Sequence, residues 1–95
     1  MAVEVRVPSL LRSLVGGAKS IPASGMTVGQ VLDDVESRYP GFRARVIDSN
    51  GTVKQFVTIF INGEDARYMQ NLDTPVQDGD QLSILPAVAG GGIVR

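Results

Sequence analysis

The chain contains neither cysteine nor histidine among its 95 residues. Thiolate nucleophiles, disulfides, Cys/His zinc sites, Ser-His pairs and an ordinary imidazole acid–base are therefore all excluded. Carboxylates, hydroxyls and amines remain, and three clusters invite a chemical reading. Asp33, Asp34 and Glu36 could be imagined around a metal ion, but neighbouring helix positions diverge by about 100°, so they read as a solvated face near the positive helix end. Gly16-Gly17 is followed by Ala18-Lys19-Ser20 without the Gly-Lys-Ser/Thr step of a phosphate loop, so it reads as a plain turn. The third cluster is Gly90-Gly91-Gly92. Three successive residues without Cβ atoms can thread a channel that any other residue would block, and the plain alternative is a frayed terminus.

Chemistry of this kind needs a scaffold, and the composition supports one. A chain of 95 residues holds about one core. The apolar share of 43% excludes disorder, and 9 basic against 10 acidic residues, a net charge of −1, exclude a protein held to nucleic acid by phosphate neutralisation. No run approaches the roughly 18 apolar residues that cross a bilayer, and the start lacks the basic-then-apolar order of a signal peptide. A cytoplasmic protein without a membrane partner is expected. Charge is unevenly spread: residues 1–54 carry 7 basic and 5 acidic side chains, residues 55–95 carry 2 and 5, so a basic partner surface is expected for the acidic C-terminal half.

Val3, Val5 and Val7 alternate with Glu4 and Arg6, the period of a strand that Pro8 ends. Leu10, Leu11 and Leu14 read as a connecting segment, and Ala18–Ala23 as a second strand antiparallel to the first. Thr27 and Gln30 have the spacing at which hydroxyl and amide cap each other's backbone N–H. Val28, Val31, Leu32 and Val35 then form one helical stripe, stopped by Tyr39-Pro40-Gly41. Residues 41–54 read as a mobile loop. Phe56–Asn62 is the strongest strand, with Val57, Ile59 and Ile61 facing the core, and Asn62-Gly63 predicts a tight hairpin turn. A short returning piece around Ala66-Arg67-Tyr68 and an irregular stretch, 69–76, lead to the turn Asp78-Gly79-Asp80. A last strand, Gln81–Leu85, follows, with Leu82 and Ile84 on one face and Ser83 and Leu85 on the other. These elements predict an α+β two-layer domain over residues 1–86, a mixed sheet with one face covered by the helix, and a projecting tail over 87–95.

With these residues in view the chain resembles the ubiquitin-like sulfur carriers of the MoaD/ThiS family over nearly its whole length. The resemblance is carried by Val5-Arg6-Val7-Pro8, by Thr27-Val28-Gly29, by the run from Phe56 to Asp65, and by the run from Asp78 through Leu85-Pro86-Ala87-Val88-Ala89 to Gly90-Gly91. The ending and the early Gly-Gly-x-Lys-Ser segment are most similar to the cysteine-biosynthesis carriers of actinobacteria. The resemblance implies a β-grasp fold, a mixed sheet of four to five strands packed on one main helix. It also implies a protein that is not an enzyme and binds no cofactor of its own, with no catalytic residue and no metal ligand. An adenylating enzyme similar to MoeB or ThiF would activate its terminal glycine with ATP, a sulfur donor would displace AMP, and the resulting thiocarboxylate would serve an acceptor such as a cysteine synthase. The small subunit of molybdopterin synthase, or a carrier in another pathway, is the alternative; a ubiquitin-like modifier joined to lysine is the alternative of a different class.

The chain departs from the family pattern by continuing as Gly92-Ile93-Val94-Arg95. The resemblance therefore implies trimming by a JAMM-type zinc metallopeptidase after Gly91, with Gly92 as the runner-up terminus and Gly90 beside it. On the open sheet face Phe60 and Leu85, with Val88 at the tail root, are expected to dock the activating enzyme, and Asp65, Asp78 and Asp80 to assist orientation.

Overall fold

A computed structural model describes residues 2–86 of the chain. The expected alternation of Val3 and Val5 forms β1 (Ala2–Arg6), and the second strand, β2 (Ser20–Ser24), starts two residues later than predicted. They pair antiparallel, with Val5 opposite Ile21. The segment between them is not a simple connection: Ser9–Val15 is a 3-10 helix that buries Leu11 and Val15.

The helix α1 (Val28–Arg38) lays Val28, Val31, Leu32 and Val35 entirely inside, where each gains roughly 1.5–3 kcal/mol of transfer free energy. Its cap differs in detail from the reciprocal pair expected. The Thr27 hydroxyl accepts from the Gln30 backbone N–H at 3.2 Å, but the Gln30 side chain reaches one residue further back and accepts from the Met26 N–H at 3.0 Å. The approach to the helix is tight, for a Cβ on Gly25 would lie 2.7 Å from the Val31 nitrogen.

The mobile loop expected over 41–54 is replaced by a second helix, α2 (Phe42–Val46), and a turn. Phe42, Val46 and Ile47 are buried, so three apolar residues among polar neighbours close one end of the core. Glu36, read as solvated, is what starts this helix: its carboxylate accepts from the Gly41 and Arg43 backbone N–H groups at 3.1 and 2.8 Å. Asp34 likewise accepts from the Ser24 N–H and from Arg38, and Asp33 lies 2.8 Å from the Arg43 Nε. The acidic face of α1 ties neighbouring elements together.

The strands β3 (Val57–Ile61), β4 (Glu64–Asp65) and β5 (Gln81–Pro86) complete a mixed five-stranded sheet in the order β2-β1-β5-β3-β4. Asn62 and Gly63 take φ of 52° and 89°, the left-handed pair that an Asn-Gly hairpin turn requires. The returning strand is only two residues long before a 3-10 turn at Ala66–Tyr68, and the stretch 69–76 contains another at Asn71–Asp73. Buried Thr74 holds that stretch, its hydroxyl accepting from the Gln70 N–H and its carbonyl from the Val28 N–H, both at 3.0 Å. Central β5 runs parallel to β1 and antiparallel to β3. Its Leu82 and Ile84 are buried with Val57, Ile59 and Ile61 beneath α1, as the alternation predicted.

Candidate functional site

The expected reactive group lies beyond β5. Gly90, Gly91, Gly92 and Val88 all fall outside the described residues; the structure instead defines the platform from which that segment leaves. Strand directions fix its composition. Because β1 is parallel to β5, β1 ends level with Ser83 and the chain after it continues toward the end of β5, where antiparallel β3 begins. Arg6 is level with Ser83 on one side, Thr58 with Leu85 and Val57 with Pro86 on the other, and Ser20 with Arg6.

Apolar side chains gather at this edge. Leu85, near the end of β5, is 52% exposed, and Phe56, just before β3, 50%. Phe60, level with Ser83, is partly exposed on the same outer face as Thr58 and Leu85. The sequence thus brought Phe60 and Leu85 to one face correctly, and the exposure of Leu85 is what a strand presents when its alternate residues fill the core.

Of the acidic residues expected to assist orientation, Asp65 pairs with Phe60 across β3 and β4, and the other two lie away from the tail end. Asp78 and Asp80 precede β5, at the opposite end of the strand from the tail. Asp78 Oδ1 accepts from the Ala2 N–H at 2.9 Å, and Asp80 accepts from the Gln77 N–H at 2.7 Å and from Asn62 Nδ2 at 3.0 Å. The amide of Asn62 also accepts from the Gln81 N–H, so this quartet locks the start of β5 to the β3–β4 turn. The Asn62 and Gln77 hydrogen bonds hold the Asp80 carboxyl below the usual carboxylate range. Asp65 forms an ion pair with Arg67 at 2.8 Å, which lowers the carboxyl and raises the guanidinium. Asp78 and Asp80 serve the turn before β5, Asp65 is ion-paired beside Phe60, and around the pocket beside Ser83 and Leu85 the charged side chains are basic: Arg6, Arg12 and Lys19. The expectation of a basic partner, drawn from charge along the chain, does not describe this edge, because β1 and the segment after it fold beside β5.

Among the described residues no group of three or more His, Cys, Asp or Glu side chains could hold a metal, and no helix is long and apolar enough to cross a membrane.

Comparison with known proteins bears on this platform. Residues 5–91 match the ThiS family. The chain is 47% identical over 93 residues to the sulfur carrier protein CysO of Mycobacterium tuberculosis, covering 96% of this chain and 100% of that protein. It is 37% identical over 94 residues to small archaeal modifier protein 3 of Haloferax volcanii, covering 96% and 100%. The crystal structure of the Amycolatopsis orientalis BexX/CysO complex superposes with a TM-score of 0.88 at 46% identity, covering 94% of this chain and 99% of the other. The sheet and helix described above are accordingly a β-grasp.

Proposed function

The chain belongs to the ThiS family, and on that premise we propose that it is a sulfur carrier, acted on by an activating enzyme and not itself a catalyst. The supporting observation is that the family match ends at Gly91, five residues beyond the strand at the centre of the sheet. A free carboxylate is a poor electrophile. In the proposed cycle the Gly91 carboxylate attacks the α-phosphorus of ATP, pyrophosphate leaves, and the acyl-adenylate forms. Sulfide delivered by a donor then adds to the acyl carbon and AMP departs, leaving a thiocarboxylate whose sulfur is the nucleophile for the acceptor. The carrier supplies no acid or base for these steps, which suits a chain without histidine or cysteine.

Ile93, Val94 and Arg95 would set bulky side chains and the wrong carboxylate at the reaction centre, so removal of the residues after Gly91 by a JAMM-type zinc metallopeptidase precedes activation; a cut after Gly92 is the alternative register. Phe60, Leu85 and Val88 form the contact surface for the adenylating enzyme, of MoeB/ThiF type. The likeness to CysO proteins favours cysteine biosynthesis as the destination, with a cysteine synthase as acceptor, in the cytoplasm. A molybdopterin-synthase small subunit is the alternative within the class.

The test is a chain ending at Gly91, incubated with the activating enzyme, ATP and sulfide and weighed by mass spectrometry. It should gain the mass of one sulfur replacing one oxygen, and the chain ending at Arg95 should not. A Gly91-ended chain that never gains sulfur, or a loaded chain that keeps Arg95, overturns the proposal. The likeness to a modifier protein favours one second reading, in which the same activated glycine is joined to a lysine amine; conjugates surviving on a denaturing gel would establish it.

A further inference from the structure

The carrier reading leaves one feature of the tail edge unused. Arg6 ends β1, Arg12 lies in the 3-10 helix that follows, and Lys19 precedes β2, yet the three meet around a pocket of about 180 Å³ with Pro8, Ser83 and Leu85. The fold brings them together deliberately: the Val7 N–H donates to the Lys19 carbonyl at 2.9 Å, and the Arg12 Nε donates to the Val7 carbonyl at 3.0 Å. Among the described residues the ion pairs join Arg38 to Asp34, Arg43 to Asp33 and Arg67 to Asp65; none involves the three cations at the pocket. The nearest acid along β1, Glu4, accepts instead from the Gln81 side chain at 3.1 Å. Three cations that have no ion-pair partner among the described residues thus border the exposed Leu85 on a chain whose net charge is −1.

We propose that Arg6, Arg12 and Lys19 dock an acidic surface of the activating enzyme at the entrance through which it takes up the chain beyond Pro86. This rests on the carrier reading and adds the partner's chemistry and the orientation it imposes. A protein surface is the fitting anion, and the nucleotide is not. Residues 87–91 separate the basic edge from the reacting carboxylate, and drawn out into a narrow site they span roughly 17 Å at about 3.3–3.6 Å per residue, which sets the ATP phosphates well away from the pocket. Cations at the rim of an apolar contact act mainly on encounter and register, so the apolar face of Leu85 and Phe60 supplies contact area and the basic edge fixes which way the sheet is turned when the tail enters.

The experiment measures sulfur loading of Gly91-ended chains by the activating enzyme at varied carrier concentration, in about 20 mM and about 0.5 M salt, where screening lengths differ several-fold. The variants are Arg6→Glu and Lys19→Glu, both exposed, with Arg45→Glu on α2 as a control of equal charge change. The two edge variants should raise KM about tenfold at low salt with kcat unchanged, as rim charges do, and the difference should close at high salt, while Arg45→Glu stays within about twofold of wild type. Circular dichroism melts should superpose for all four proteins. Unchanged KM in the edge variants, an equal rise in Arg45→Glu, or a rise that persists at high salt each overturns the proposal while leaving the carrier reading intact. A wild-type chain that never loads removes both.

Discussion

Leu82 and Leu85 lie on opposite faces of the same strand, so truncating each to alanine separates what holds the domain together from what it offers a partner. Leu82 has no exposed surface, and its alanine variant should lose about 2–5 kcal/mol through lost transfer energy and the cavity left behind. That is a large part of the roughly 5–15 kcal/mol that keeps a domain folded, and a fall in melting temperature of about 8–40 °C at ~4–8 °C per kcal/mol. Leu85 is 52% exposed. Truncation removes three carbons worth ~0.8 kcal/mol each when wholly buried, so with half of the side chain already in water and no cavity created the loss is about 1 kcal/mol. If the remaining half is covered on docking, loading by the activating enzyme should fall about fivefold in kcat/KM, since 1.4 kcal/mol corresponds to about tenfold. Urea denaturation reads the first quantity and mass-spectrometric loading the second. A Leu85→Ala chain as unstable as Leu82→Ala, or one of near-native stability that loads at the wild-type rate, would refute the division of labour between the two faces.

Two further outcomes follow from contacts that hold the scaffold. Phe42→Ala removes a fully buried ring and should cost about 3–5 kcal/mol in urea denaturation, whereas a residue in a mobile surface loop would cost within about 0.5 kcal/mol. Acid should unfold the domain through its depressed carboxyls. Asp80, held low by Asn62 and Gln77, Asp48, held low by the Thr52 N–H and hydroxyl, and Glu36, held low by the Arg43 and Gly41 N–H groups, all sit below their ordinary values of 3.8 or 4.5. The stability they give is complete above those values and is lost as pH falls through the lowered ones, so the urea midpoint should be level between about pH 7 and 5 and drop below about pH 4, less steeply in Asp80→Asn; a midpoint that rises on acidification would contradict this.

Local signals in the sequence defined most of the elements, and their failures share a cause. Alternation in β1, β3 and β5, the stripe of α1 and the Asn62-Gly63 turn are patterns within a few residues, set by pleat and helix period, and they gave the correct buried faces. Phe42, Val46 and Ile47 escaped because a five-residue helix offers barely one turn of period against arginines and turn residues on either side. What makes it a helix is Glu36, six residues upstream of Phe42, capping its N–H groups from another element. The acids of α1 do lie on a solvent-accessible face, as read, but the backbone N–H groups they accept from belong to a neighbouring strand and helix, and those partners appear only once the elements are in position. At the candidate site, the shared face of Phe60 and Leu85 was a matter of parity within two strands. The basic edge was not, for Arg6, Arg12 and Lys19 meet Leu85 only once β1 lies parallel to β5, a pairing of the two ends of the chain that no local period encodes.

The position of β5 also explains why this fold suits a chain whose reactive group lies outside it. A segment drawn into another protein's active site transmits any strain to the residue where it joins the fold, here Pro86. An edge strand could peel away one hydrogen bond at a time. Here β5 is instead the middle of five strands, held by β1 on one side and β3 on the other, with Leu82 and Ile84 buried beneath it and its first residues locked by Asn62 and Asp80. Detaching it requires breaking both ladders and opening the core together, which makes its release part of global unfolding and not a local fraying. Hydrogen exchange supplies the measure: the Leu82 and Ile84 amides should exchange only with the free energy of whole-domain unfolding, whereas amides of edge strand β2 that face solvent should open more cheaply. Should the β5 amides exchange as readily as those of β2, the central strand would not be the anchor that delivery of a distant carboxylate demands.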